Sequence, residues 1–258
     1  MSVIRIQWVA LTTIVTKEIR RFMRIWQQTL LPPAITMTLY FIIFGNLIGS
    51  RIGDMGGVDY MAFIVPGLIM MSVITNAYGN VASSFFSNKF QRSIEEMMVA
   101  PVHPGTILLG FVIGGVARGV LVGLIVTLLS LYFTDLQVHN LWVVVSVILL
   151  SAVLFSLGGF INAIFASKFD DISIIPTFVI TPLTYLGGVF YSIGLLPEFW
   201  QGVSLFNPIL YMVNTFRYGI LGVTDVDLLG SYAMLLVFIA LLSLYSIWLL
   251  RRGTGMRQ

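Results

Sequence analysis

Two histidines, His103 and His139, and one adjacent carboxylate pair, Asp170 and Asp171, are the groups in this 258-residue chain best suited to acid–base or metal chemistry. The topology derived below puts the histidines on opposite sides of a membrane, so they cannot share a metal. It puts the two aspartates at the start of a helix, where N-capping and the helix dipole account for them. There is no cysteine, hence no thiolate nucleophile, thiolate metal ligand or disulfide. No Gly-x-Ser-x-Gly or His-Glu-x-x-His pattern occurs. A phosphate-cradling P-loop ends in Gly-Lys, and that dipeptide is absent from the chain. The residues therefore predict no catalytic site, no metal and no cofactor bound by this chain. Any ATP-driven work must come from another polypeptide.

The polar residues that remain lie inside apolar stretches. Arg118 sits about 11 residues, or roughly 16 Å, into a helix. A charge at that depth faces a bundle interior or a wet cavity, or snorkels to an interface. Two readings stay open: contact with an anionic substrate group or a gating ion pair, and a fixed hydrogen-bond anchor between helices. Gly115, Gly119 and Gly123, with Thr127 on the same row, have the small-residue spacing that lets helices meet backbone to backbone. Ser72, Asn76, Asn80 and Ser84 form an i, i+4 stripe. Ser151, Gly158, Gly159 and Asn162 mark another helix. Such stripes either join helices or line a path across the membrane.

The elements that position these residues follow from composition. The chain is 58% hydrophobic and 10% charged, with a mean hydropathy of +0.96, against roughly 25% charged in soluble domains. That defines an integral membrane protein. The net charge of +3 reflects topology, and no aromatic-interleaved basic patch indicates nucleic acid. Six segments, 30–49, 60–84, 107–133, 141–166, 172–193 and 231–250, are long enough to cross about 30 Å of hydrocarbon. With the N-terminus inside, Arg5, Lys17, Arg20, Arg21, Arg24, Lys89, Arg92, Lys168, Arg251, Arg252 and Arg257 are cytoplasmic, eleven of the 14 Lys and Arg residues. Both termini are then cytoplasmic. A crossing at 195–225 would reverse the last three of those charges. That segment, with Pro197, Asn207, Pro208, Asn214 and Arg217, reads as a re-entrant or interfacial hairpin on the outer side, shielded by protein.

Residues 1–29 lack the apolar core of a signal peptide. Trp8, Leu11, Val15, Ile19, Phe22 and Trp26 make one apolar helix face, while Lys17, Arg20, Arg21 and Arg24 lie mostly on the other. This predicts a helix in the inner interface, held by anionic membrane lipid. Between the second and third spans, Gln91–Pro104 reads as a short polar island. Ser93 and Glu96 have capping-box spacing, so a helix starts at Ile94 and stops before Pro101. Ile94, Met97 and Met98 fall on one side, with Glu95 and Glu96 toward the other, a handle for a soluble partner.

Taken together, Glu-Glu-Met-Met-Val-Ala-Pro at 95–101 and Asn-Pro-Ile-Leu-Tyr-Met-Val-Asn-Thr-Phe-Arg-Tyr-Gly at 207–219 resemble the permease subunits of ABC-2 type exporters, small bacterial inner-membrane proteins that work with a separate ATPase. The resemblance covers the whole chain. It implies an all-α membrane protein of six transmembrane helices, with an interfacial helix at 1–29, a transmembrane domain at 30–250 and a tail at 251–258. It further implies a cytoplasmic coupling loop at 85–106 and an outer re-entrant segment at 194–225 that acts as a gate or lid. Ile94, Glu95, Glu96, Met97, Met98 and Pro101 would couple to the ATPase. Arg118, Ser72, Asn76, Asn80 and Asn162 are candidates for the translocation path, and Asn207, Pro208, Tyr211, Arg217 and Gly219 belong to the outer signature. The implied partners are membrane lipids, a second permease copy and two soluble P-loop ATPase subunits carrying ATP and Mg. The family's cargoes include drugs, lipids, glycolipids and polysaccharides. An ion-gradient-driven secondary transporter is the alternative, and it lacks the expected second broken segment and a carboxylate buried at mid-span.

Overall fold

Tyr60–Phe90 is apolar nearly all round and, apart from Tyr60, Tyr78 and a Lys89 bonded to the Ile164 and Ala166 carbonyls, carries only small or amide-bearing polar residues, so it can be surrounded by protein on every side. A computed structural model, describing residues 2–55 and 57–255 apart from the Asn46 side chain, puts this helix at the centre of an all-helical bundle. Arg257 and Gln258 lie outside the described residues. In chain order the helices are α1 (Val3–Arg24), α2 (Trp26–Ile52), α3 (Tyr60–Phe90), α4 (Ser93–Val99), α5 (Pro104–Ser130) and α6 (Leu141–Phe165). They continue with α7 (residues 171–185), α8 (Glu198–Leu205), α9 (Pro208–Leu221) and α10 (Leu228–Arg252). A two-stranded antiparallel hairpin, Asp54–Met55 with Val58–Asp59, links α2 to α3. The Asp59 carboxylate then caps α3 by accepting from Met61 N–H at 3.0 Å.

Five helices, α2, α3, α5, α6 and α10, are long and apolar enough to cross a membrane. The predicted span at 172–193 is different. Its helix, α7, covers only 171–185 and is wound as a π-helix over Pro176–Ile180, so it reaches about 22 Å, short of a hydrocarbon core. Pro176 and Pro182 remove two helix donors in this stretch, which weakens its regular winding. Even so, the chain travels the length of the bundle here. Asn162, near the end of α6, donates to Ile172 C=O at 3.2 Å. Tyr60, at the start of α3, donates to Phe190 C=O at 3.2 Å.

The 192–225 segment leaves and returns at one place. Ser192 Oγ and Ile193 N–H both donate to the Asp225 carboxylate, at 2.9 and 3.2 Å. Between these points α8 and α9 form a helical pair. Its deep turn is tied to α7 by Asn207 Nδ2 donating to Leu183 C=O at 2.6 Å. The far end of α9 reaches the start of α6, where Asn140 N–H donates to Gly219 C=O at 2.8 Å. At the opposite end of the bundle, Gln7 meets the segment after α4, and a side chain on Gly253 would approach Met98. Both ends of the described chain and α4 thus share one end of the molecule.

The glycine row sets the tightest packing. A Cβ on Gly119 would lie 2.9 Å from Ala77 Cβ and 3.1 Å from Val73 C=O, so α5 approaches the α3 backbone directly. A second row, Gly110 and Gly114, seats α1: a Cβ at Gly114 would be 2.6 Å from Glu18 Cβ. Replacing Gly119 with Leu should therefore force α3 and α5 apart, at a cost of about 1–3 kcal/mol or more. Gly79→Ala, where a Cβ meets nothing within 4 Å, should be neutral or slightly stabilising. Thermal unfolding of the two detergent-purified variants checks the contrast; equal losses would reject the packing argument.

Candidate functional site: a polar seam and a short helix at one end

The polar stripe on α3 faces α1 and α5. Ser72 Oγ donates back to Leu68 C=O, and Asn76 Nδ2 to Ser72 C=O, both at 3.0 Å. The free carbonyl of Asn76 then accepts from Arg118 Nη2 at 3.0 Å. One turn on, Asn80 accepts from Arg21 at 2.8 Å. A further turn on, Ser84 donates to the Glu18 carboxylate at 2.7 Å. The row ends at Asn88, whose carbonyl receives both Lys17 and Ser93 Oγ. From Asn76 to Asn88 each i, i+4 position thus carries a polar group of α1 or α5, an arrangement that suits a low-dielectric surround.

Arg118 also donates to Thr29 C=O at 3.3 Å. Among the described residues it makes no ion pair, because the salt bridges there both end on Glu18. Glu18 itself is completely buried, a residue that sequence reasoning missed. Its signal was present: Ile14, Glu18 and Phe22 are spaced i, i+4, and all three are buried. The face that α1 turns to the bundle is therefore this row. The predicted apolar face is largely outside it, with Trp8 at 65%, Ile19 at 36% and Trp26 at 50% exposure, while Phe22 is shared by both. Burial pulls the Lys17 ammonium below its ordinary range, offset in part by Glu18.

Gln7 was also missed. Its amide nitrogen donates to Pro101 C=O at 3.1 Å, and its oxygen accepts from His103 N–H at 2.9 Å and Thr106 Oγ at 2.7 Å. One side chain thus fastens α1 to the segment that follows α4.

Helix α4 corrects two expectations. It starts at Ser93 after Arg92, which holds a left-handed φ of 60°. Ser93 donates to Asn88 C=O and Oδ1, so the predicted Ser93–Glu96 capping box does not form. Ile94 does not belong to an exposed handle. It is fully buried in the part of the core nearest α4, with Met97 half-buried against that core. The surface that α4 presents consists of Glu95, Glu96, Met98 and Val99, the last 88% exposed, followed by exposed Pro101. The spacing identified the apolar side correctly but could not show that the bundle uses it.

Nor does the aspartate pair cap α7 as expected. Asp170 occupies the cap position without a side-chain bond, whereas Asp171 accepts from Ser167 and Lys168 N–H at 2.8 and 2.9 Å and closes the preceding turn.

At the other end Arg217 is buried to 1% exposure. It donates to Phe63 C=O at 3.2 Å, to Asn214 Oδ1 at 3.1 Å and to Gly188 C=O, with its guanidinium 3.8 Å from the centre of the Phe63 ring. Asn207 caps α9 through Ile209 N–H at 3.0 Å, Pro208 is its first residue, and Tyr211 Oη donates to Leu205 C=O at 2.8 Å. Gly219 lets α9 pass the Val144 backbone, where a Cβ would lie 3.0 Å from that nitrogen. Every residue of the predicted outer signature thus holds the α8–α9 pair in place. Asn162 stands apart from the seam, lining an apolar cavity of about 440 Å³ with Tyr78, Leu154, Pro208 and Phe238.

A multi-pass helical bundle with a polar seam, a short helix offered at one end and a closed helical pair at the other is the build of a membrane transport subunit, with no assembled catalytic group among the described residues. The family model for "ABC-2 type transporter" matches residues 9–221, and the chain belongs to that family. It is similar to the inner membrane transport permease YadH of Escherichia coli K12, with 65% identity over 97% of this chain and 98% of that protein. It is also similar to nodulation protein J of Rhizobium leguminosarum bv. trifolii, at 27% identity over 83% of this chain and 82% of that one. The family is that of transport permeases, and it implies an ATPase partner.

The seam yields a test. Glu18→Gln keeps an acceptor for Ser84 but removes the charge, while Glu18→Ala leaves Ser84, Arg21 and Lys17 without it. A hydrogen bond to a charged group contributes about 1.5–3 kcal/mol. Alanine should therefore loosen α1 and lower the unfolding temperature more than glutamine does. Limited proteolysis within residues 3–24 reports this directly; equal protection in all three proteins would mean that Glu18 does not hold α1.

Proposed function

We propose that this chain is the membrane-spanning half of an ATP-driven exporter of the bacterial inner membrane, moving an amphipathic, lipid-like or drug-like molecule or a glycan outward. Two copies pair, and two soluble ATPase subunits carrying ATP and Mg dock at the end that bears α4. The observation that carries this reading is α4 itself. It is seated on the core through Ile94 and Met97, and it offers Met98, Val99 and two carboxylates to whatever lies beyond. Its base is bonded to Asn88 by Ser93, and its outgoing segment is bonded to α1 by Gln7. A push on α4 thus reaches both α3 and α1 through hydrogen-bonded contacts, the connection that coupling requires.

The topology belongs to the same reading. We take the chain to cross six times, with α7 and the turn after it as the fifth crossing, and with α8 and α9 re-entering from the outer side as a gate. The shared anchoring of residues 192, 193 and 225 supports this. So does the gathering of Arg5, Lys89, Arg92, Arg251 and Arg252 toward the α4 end. In an ion-driven carrier a titrating carboxylate sits within the spans; the buried Glu18 lies in α1 and is already paired with Arg21 and Lys17.

Reporters placed after Gln258 and near His103 should be cytoplasmic, and one near Asp225 should be external. An external C-terminus would overturn the six-crossing topology. For coupling, Met98→Asp with Val99→Asp should remove the exposed apolar surface without touching the core. Each apolar side chain buried at a contact is worth about 1.5–3 kcal/mol, so ATPase association should weaken by tenfold or more while the permease still folds. Normal co-purification of the ATPase with this double variant would reject α4 as the docking helix.

A further inference from the structure

The polar flank of α1 closes a cavity of about 860 Å³ against the last turns of α3. Lys17, Arg20, Arg21 and Arg24 line it from α1, and Ser87 and Gln91 are among the groups that face them from α3. Four cations therefore surround one space. The single carboxylate in this part of α1, Glu18, points away into the seam, where Ser84, Arg21 and Lys17 occupy it. Arg20 and Arg24 make no hydrogen bond or ion pair among the described residues, and both are exposed. A neighbouring space of about 370 Å³, lined by Thr12, Thr13 and Thr16, shares Lys17 and Arg20 with the larger one.

Such a concentration of positive charge in a concave, partly protein-walled space costs energy through mutual repulsion unless an anion enters it. The donors match one ligand chemistry best. Guanidinium forks, an ammonium, a hydroxyl and an amide together suit the several oxygens of a phosphate group. The volume lies in the range that holds a whole small molecule rather than a lone ion. The exposed apolar residues Trp8 and Ile19 occupy the other side of α1, so a molecule with an apolar body can place it beside the bundle and its phosphate here.

We propose that this cavity binds a phosphate-bearing anion, either the headgroup of an anionic lipid or a free phosphate ester. The binding step rests only on the geometry of α1 and α3; a further role in selecting anionic cargo rests on the transport reading above. The full-length permease in phosphatidylcholine nanodiscs is compared with discs doped with phosphatidylglycerol and with undoped discs given inorganic pyrophosphate. Bound lipid is read by native mass spectrometry and pyrophosphate by calorimetry. Wild type should retain phosphatidylglycerol over phosphatidylcholine or bind pyrophosphate, and whichever occurs identifies the source. Arg20→Gln with Arg24→Gln should weaken that binding by about tenfold, and Arg20→Lys with Arg24→Lys should restore part of it. The proposal is overturned if neither probe binds, or if the glutamine pair binds as wild type does. Co-purification of the ATPase with the same variants reports the transport reading separately, so either can fail alone.

Discussion

Helices surrounded by hydrocarbon gain nothing from hiding apolar side chains against one another, since lipid is as apolar as leucine. Close backbone approach and internal satisfaction of polar groups must hold them instead. Both devices in this protein converge on α3. Its small residues Val73 and Ala77 receive the glycine row of α5, and Gly159 of α6 lets that helix meet the Tyr78 carbonyl. One α3 face, from Ser72 to Asn88, presents a polar group at each turn. Without the close approach Arg118 would not reach Asn76. Without the polar row the charges of α1 would face lipid or one another.

This constraint explains why α1 belongs to the bundle as well as to its surface. A purely interfacial helix needs one apolar and one charged side. Here three directions are distinguished: an exposed apolar face with Trp8 and Ile19, a charged flank with Lys17, Arg20 and Arg24, and a seam with Ile14, Glu18 and Phe22. The seam gives α1 a fixed register against α3 and α5, because the Glu18, Arg21 and Lys17 contacts all change together if α1 slides. Gln7 then ties the same rigid piece to the segment leaving α4. A helix locked at both places can pass on displacement, whereas one held by lipid alone cannot.

Much of the arrangement was legible in the sequence, for physical reasons that differ between elements. Hydropathy identified the five helices that are long and apolar enough to cross a membrane, because length and apolarity alone define them. The i, i+4 stripe and the Gly115–Gly119–Gly123 row were visible as periodicities, and their partners follow once the helices pack. Periodicity could not identify which side of α1 or α4 the bundle takes. Of the predicted face, Ile94 is fully buried and Met97 packs against the core, while Met98 stays exposed on the side of Val99. Glu18 was hidden by its neighbours: among Lys17, Arg20, Arg21 and Arg24 a lone acid reads as surface charge, and only the three-dimensional meeting with Ser84 shows otherwise. The shortened α7 was obscured by apolarity, which continues through residues whose helix is interrupted.

Arg118 and Arg217 show how the same chemistry serves different depths. Arg217 has each of its three guanidinium nitrogens bonded to a backbone or amide oxygen and the Phe63 ring beneath it. It behaves as a fixed pin between α9, α3 and the turn at Gly188, and moving it would break three contacts at once. Arg118 holds only the Thr29 carbonyl and Asn76, and its Nε is buried without a partner. A guanidinium with unused capacity inside an apolar helix costs more than one fully bonded, so a change in its surroundings can satisfy it better. Of the two arginines, it is Arg118 whose bonding leaves room for a second arrangement, and it stands where α2, α3 and α5 meet. Arg217 therefore holds the α8–α9 pair in register, while Arg118, within an otherwise fixed seam, is left free to rebond.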